Sequence, residues 1–77
     1  MKLTIKYFGL LAEVTKRNEE QLDFSGTLIN ELLDTIYLKY PKLKEIDFQV
    51  AQNNEIVSKE TIITQAEIAL LPPFAGG

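Results

Sequence analysis

The sequence contains no cysteine, no histidine and no tryptophan, and two of these absences remove whole classes of chemistry. Without cysteine the chain has no disulfide framework, no thiolate nucleophile and no thiolate metal ligand. Without histidine it has no imidazole base and no imidazole metal ligand. We therefore expect no metal site, no directly bound cofactor and no independent active site.

The sequence also lacks a strong excess of either charge and any long apolar run. The 77 residues allow one small domain, and 8 basic against 11 acidic residues give a net charge of −3. No basic stripe is present, so we expect no nucleic-acid partner. No apolar run reaches membrane-spanning length, and the alternation that starts at Lys2 is unlike a signal peptide. We expect a cytoplasmic protein that does not contact membranes.

Hydropathy patterns predict the order β-β-α-β-β-β. Alternation with a period of two indicates strands near residues 3–7, 21–24, 46–50, 56–57 and 67–71, with a loop or short helical turn over 10–18. Apolar residues at steps of three and four, after a cap at Thr27, predict a helix that ends before Pro41. The apolar stripe of this helix comprises Ile29, Leu32, Leu33, Ile36, Tyr37 and Tyr40. One helix on one face of a sheet is a two-layer α+β domain.

A stiff spacer and a glycine-rich end follow the last strand. Pro72 and Pro73 favour extended backbone, and the residues after them are Phe74, Ala75, Gly76 and Gly77. We expect a domain over 1–71 and an extended tail over 72–77. Because the last two residues have no side chains, the tail could thread a narrow channel and deliver the Gly77 carboxyl to another protein's active site. The alternative is a flexible end with no role.

Alternation also leaves apolar side chains on the sheet face that the helix does not cover. Phe8 has the parity opposite to the inward residues of the first strand, and Ala69 and Leu71 have the parity opposite to those of the last strand. With Phe74 they would form one patch beside the tail, which predicts a partner surface. The alternative is isolated exposed apolar residues, which are ordinary.

Other polar groups have simpler interpretations. The carboxylate pairs Glu19-Glu20 and Glu45/Asp47 are predicted to be solvated. The basic pair Lys16-Arg17 is predicted to contact nothing, and the alternative is contact with an acidic partner. Ser25 and Thr27 are better explained as turn and cap residues than as nucleophiles, because no base is available.

The whole chain resembles the MoaD family of ubiquitin-like sulfur carriers, the small subunits of molybdopterin synthase. The segments that carry the resemblance are 3–8, the helix end at Tyr40-Pro41 and, above all, 69–77 with its Pro-Pro-x-x-Gly-Gly ending. It implies a β-grasp (ubiquitin-like) fold, a mixed sheet of four to five strands with one main helix on one face. The family's usual turn glycine before the last strand is absent from 64–66, and a frequently basic position is Ala12.

The resemblance also implies a function. A ubiquitin-activating-like adenylyltransferase would use ATP to adenylate Gly77, which is then converted to a thiocarboxylate. Within a heterotetramer, the large subunit of molybdopterin synthase would bind Phe8, Ala69, Leu71 and Phe74 and receive the tail. The Gly77 sulfur would pass to cyclic pyranopterin monophosphate. The alternatives are a sulfur carrier for thiamine or another thio-compound, a ubiquitin-like modifier joined to proteins through Gly77, and an interaction domain with an inert tail.

Overall fold

The computed structural model describes residues 1–73. The predictions made for Phe74, Ala75, Gly76 and Gly77 lie outside these residues, so the extended tail stays a prediction. The elements in chain order are β1 (Lys2–Tyr7), α1 (Leu10–Thr15), β2 (Glu19–Asp23), α2 (Ile29–Lys39), a 3₁₀-helix (Pro41–Glu45), β3 (Gln49–Gln52), β4 (Glu55–Val57) and β5 (Glu67–Leu71).

The strands form one mixed sheet in the order β2-β1-β5-β3-β4. The first and last strands of the chain are parallel neighbours at its centre, and the other pairs are antiparallel. This topology, with α2 on one face, is the β-grasp architecture, and it confirms the predicted α+β fold and the central position of β5. Among residues 1–73, no helix is long and apolar enough to cross a bilayer.

The core lies between the inward face of the sheet and the apolar stripe of α2. The inward residues of β1 and β5 are almost completely buried, and the apolar stripe of α2 packs on them. Burial of a large aliphatic side chain contributes about 1.5–3 kcal/mol, so these residues dominate the stability of the domain. The most deeply buried of them are Leu3, Ile5, Ile29, Leu32, Leu43, Ile68 and Leu70.

Helix α2 starts one residue later than a cap at Thr27 would give, within the two residues that the sequence left open. Its N-cap is Leu28 and not Thr27. The Glu31 carboxylate oxygen Oε1 accepts hydrogen bonds from the backbone N–H groups of both residues, at 2.9 Å each. Counting from Thr27 put Asn30 at the capping position, whereas the true start puts Glu31 there and completes the reciprocal half of a capping box.

Two turns fix the register at the far side of the sheet. Asn53 and Asn54 have φ angles of 54° and 62°, which suits the two-residue hairpin between β3 and β4. The loop at 64–66, where the turn glycine is missing, has no residue with positive φ. Instead, the buried Gln52 side chain donates to the Ile62 carbonyl and accepts from the Thr64 N–H, at 2.9 and 3.1 Å. This loop therefore needs no glycine.

Candidate functional site

A shallow concavity of about 360 Å³ lies on the sheet face opposite α2. Phe8, Ala69 and Leu71 all line it, so the structure brings these three predicted residues together. Phe8 is 44% exposed, and the other two are half-buried. Phe74, the fourth predicted member, lies outside the described residues.

Strand register explains the shape of this surface. Lys6, Ala69, Ala51 and Ile56 pair in turn across β1, β5, β3 and β4. The two alanines at the centre have short side chains, so the surface is low there and the flanking side chains rise above it. Ile56 remains 54% exposed. The result is a concave apolar surface, which we call the sheet-face patch and define as Phe8, Ala51, Ile56, Ala69 and Leu71.

The rim of the sheet-face patch is polar. Lys6 and Glu67 form an ion pair at 3.4 Å across the parallel β1–β5 pair, and both side chains are substantially exposed. Asn53 and Asn54 lie at another part of the rim. An exposed ion pair contributes little to stability. An apolar centre with a polar rim is the usual composition of a protein–protein interface.

The patch continues directly into the start of the predicted tail. Leu71 ends β5, Pro72 is half-buried, and Pro73 is exposed. The Pro72 ring lies against Gly9, between β1 and α1. The chain therefore leaves the sheet at the edge of the sheet-face patch, so a partner bound there would lie close to whatever follows Pro73.

The prediction that Glu20 is solvated was wrong. Glu20 is buried, and it has the same strand parity as the core residue Phe24, which directly follows β2. Its Oε1 accepts a hydrogen bond from the Tyr7 hydroxyl at 2.6 Å, and its Oε2 lies 2.5 Å from Lys39 Nζ and 3.4 Å from Arg17 Nη1. A carboxylate on a core face is tolerated because the hydroxyl and two cations surround it. The same contacts correct the prediction that Arg17 contacts nothing.

Electrostatics keep the Glu20 carboxylate ionised. Burial alone would raise the pKa of Glu20, but the hydrogen bonds from Lys39 and Tyr7 outweigh it and hold that pKa below the ordinary value of 4.5. Burial also raises the pKa of the Tyr7 hydroxyl far above its usual range, and Glu20 adds to the shift. The cluster joins β1, β2 and α2 and lies on the core side of the sheet, so we assign it to stability.

The described part of the chain offers no metal-binding cluster. No group of three or more acidic, histidine or cysteine side chains is suitably placed among residues 1–73. Every buried side-chain nitrogen or oxygen in this range has a hydrogen-bond partner. What this surface offers another molecule is apolar contact at its centre and polar contact at its rim.

Sequence reasoning missed three residues around the sheet-face patch. Ala51 and Ile56 belong to it through strand pairing, and the register between β3, β4 and β5 cannot be read from hydropathy alone. Gly9 was interpreted only as the end of a strand. No local signal connects Gly9 to Pro72, because the two residues lie at opposite ends of the sequence.

Two sequence comparisons match nearly the whole chain to known proteins. The model of the ThiS family matches residues 5–77. The molybdopterin synthase sulfur carrier subunit of Mycobacterium tuberculosis is 32% identical over 83 residues, covering 100% of this chain and 99% of that protein.

Solved structures give the same fold. The small archaeal modifier protein 1 of Haloferax volcanii superposes with a TM-score of 0.80 at 25% identity, covering 100% of both chains. A putative molybdopterin converting factor, subunit 1, of Pyrococcus furiosus superposes with a TM-score of 0.85 at 22% identity, covering 95% of this chain and 98% of that one.

Proposed function

Because the chain belongs to the ThiS family, we propose that it is a ubiquitin-like sulfur carrier that donates sulfur from Gly77 in molybdenum cofactor biosynthesis. In this role it is a covalently modified substrate and a subunit, and the catalytic groups belong to its partners. The large subunit of molybdopterin synthase would bind the sheet-face patch and receive the tail.

One observation carries the proposal beyond family membership. The sheet-face patch, an exposed apolar concavity, lies at the point where β5 leads into Pro72 and Pro73. A carrier must dock on its partner and present its reacting end in the same event. A docking surface that adjoins the base of the tail meets both requirements, because binding then raises the local concentration of the end at the partner's active site.

Two exchanges take place at the Gly77 carboxyl: one of its oxygens is replaced by sulfur, and the sulfur is later replaced by oxygen. Adenylation makes the first exchange possible. The carboxylate oxygen attacks the α-phosphorus of ATP, and pyrophosphate leaves, giving an acyl adenylate. Hydrosulfide then attacks the carbonyl carbon, the bond to the AMP oxygen breaks, AMP leaves with the bonding electron pair, and loss of the sulfur-bound proton gives the thiocarboxylate. Transfer of that sulfur to cyclic pyranopterin monophosphate, with an oxygen from water, restores the carboxylate.

Intact mass spectrometry tests this scheme. The chain, its ubiquitin-activating-like adenylyltransferase, ATP and a sulfide source are expected to give a product heavier by one oxygen-to-sulfur exchange, located at Gly77 by fragmentation. Addition of the large synthase subunit and cyclic pyranopterin monophosphate should return the original mass. Failure of the thiocarboxylate to form with the adenylyltransferase of the same organism would overturn the proposal.

Phe8→Asp is expected to weaken binding to the large subunit by at least about thirtyfold, roughly 2 kcal/mol, as for a central interface aromatic. The reason is that a charge would be placed in the apolar concavity that the partner must dehydrate. Because Phe8 is exposed, the free energy of unfolding should change by only about 0.5 kcal/mol. Calorimetric titration measures the first quantity and thermal unfolding the second.

Leu38→Asp is the matched control for this substitution. Leu38 is 86% exposed on α2, in the other layer of the fold. It introduces the same charge at an exposed apolar position and should leave binding unchanged. Equal weakening by both variants would show that net charge, and not the sheet-face patch, governs the association.

A second candidate is a protein modifier joined to target lysines through Gly77. The superposition on the small archaeal modifier protein 1 of Haloferax volcanii favours it. An isopeptide adduct survives heat and thiol on a denaturing gel, whereas a thiocarboxylate adds no ladder of larger species. Adducts that require Gly77 and appear without any sulfur source would support the modifier.

A further inference from the structure

Gly9 has the unusual conformation φ 58°, ψ −133° directly after β1. An L-residue rarely adopts such angles, because its Cβ collides with its own backbone. The Gly9 carbonyl accepts hydrogen bonds from the N–H groups of Ala12 and Glu13, at 3.0 and 3.4 Å, so it is tied to the first turn of α1. The preceding Phe8 N–H donates to the Leu70 carbonyl of β5 at 3.2 Å. Gly9 is therefore held rigidly between β5 and α1.

The Pro72 ring occupies the space that a side chain at Gly9 would need. A Cβ at Gly9 would lie 2.8 Å from Pro72 Cγ and 3.7 Å from Pro72 Cδ. A separation of 2.8 Å is well inside van der Waals contact, so either the ring or the strand end would have to move. Since the proline ring fixes its own φ near −65°, movement of the ring changes the direction of the following backbone.

From this contact we infer that Gly9 is a positioning residue, which sets the direction in which the chain leaves β5 by seating the Pro72 ring. The inference deepens the proposed function and rests on it. Helix α1 supplies the fixed support, because Leu11 and Thr15 anchor it in the domain. The rigid unit is thus Gly9 on α1, the Pro72 ring above it and the end of β5 beside them. The sheet-face patch, which binds the partner, therefore adjoins the Gly9–Pro72 contact, which sets the direction of the chain after β5.

A double-substitution cycle on the full chain tests the inference. Gly9→Ala is expected to lower kcat for thiocarboxylate formation by about tenfold or more, because a misdirected reacting end loses the benefit of orientation. KM for the adenylyltransferase should change less than about twofold, because the substitution redirects the chain after β5 and leaves the rest of the domain surface unchanged. Pro72→Ala removes Cγ and Cδ and leaves only Cβ, which lies 4.0 Å from the place of a Cβ at residue 9, an ordinary van der Waals separation. In the Pro72→Ala chain, adding Gly9→Ala should therefore lower kcat by less than about twofold.

Backbone strain at Gly9 is separated from the contact by two further readouts. Strain depends on φ and ψ, so it should lower the melting temperature equally with and without the Pro72 ring. A chain synthesised with D-alanine at position 9 suits a positive φ and directs its methyl away from the L-Cβ position. It is expected to keep kcat within about twofold of the original chain, since both the strain and the collision with Cγ are removed.

The contradicting results are distinct. Multiplicative losses of kcat for Gly9→Ala and Pro72→Ala would show that the two positions act independently and would overturn the inference. So would a D-alanine chain as impaired as Gly9→Ala. If the original chain forms no thiocarboxylate, the proposed function falls. Proton NMR of the original chain tests the contact independently of that function. Absence of a cross-relaxation peak between Gly9 Hα and Pro72 Hγ would refute the contact.

Discussion

Removal of Gly77 is expected to lower the rate of sulfur transfer by about a thousandfold or more, while the melting temperature stays unchanged. Deleting one residue draws the terminal carbonyl carbon back by up to about 3.5 Å, and a misplacement of even 1 Å costs of the order of a hundredfold in an oriented reaction. Stability should not change because Gly77 has no side chain to bury, and the hydrophobic core that residues 1–73 form runs from Leu3 to Leu70. Single-turnover transfer to cyclic pyranopterin monophosphate, followed by mass spectrometry, measures the loss.

Gly77→Ala is the control for the length of the tail. Both variants keep a terminal carboxyl, but only the deletion shortens the chain. Gly77→Ala keeps the length of the chain and adds a single methyl group. If a narrow channel in the partner demands glycine, this variant should bind the large subunit normally and transfer sulfur more slowly. Full transfer by the chain that lacks Gly77 would show that the reacting group is elsewhere and would contradict both the scheme and the assignment of the tail.

The architecture could be predicted from the sequence because hydropathy has a sharp period in this chain. The parity of β1 and β5 placed Phe8 and Leu71 on the uncovered face, and in the structure both line the concavity there. The apolar character of β5 placed it in the middle of the sheet, where it lies. These inferences need only the pleat of a strand and the spacing of a helix.

Features that depend on contacts between distant residues could not be predicted in this way. Glu20 looked solvated because it is charged and neighbours Glu19, and only the tertiary fold brings Lys39 of α2 to it. Gly9 and Pro72 are far apart in sequence, and nothing local connects them. The sequence pattern placed the start of α2 only to within two residues. Thr27 is a better intrinsic cap than Leu28, but the Glu31 carboxylate accepts a hydrogen bond from the Leu28 N–H and so favours the later start.

Glu20→Ala is expected to destabilise the domain by about 2 kcal/mol, because it removes the acceptor that the Tyr7 hydroxyl, Lys39 and Arg17 share. The substitution leaves the Tyr7 hydroxyl buried without an acceptor, which by itself costs about 1–3 kcal/mol. Lys39 and Arg17 are about half exposed and can turn to water, which limits the loss. Denaturant unfolding at neutral pH measures the change, and a loss below about 0.5 kcal/mol would place Glu20 among ordinary surface residues.

The pH dependence of Glu20→Gln distinguishes the charge of Glu20 from its hydrogen bond. Glutamine keeps an acceptor for the Tyr7 hydroxyl and removes the charge that faces Lys39. Because the folded pKa of Glu20 lies below the ordinary value of 4.5, the unfolded chain binds this proton more tightly than the folded one. The stability due to the charge is therefore complete above pH 4.5 and is lost as the pH falls through the lower, folded pKa. The difference in unfolding free energy between the original chain and Glu20→Gln should be constant near neutral pH and should shrink in acid. A difference that grows as the pH falls would mean that burial, and not Lys39, dominates the environment of this carboxylate.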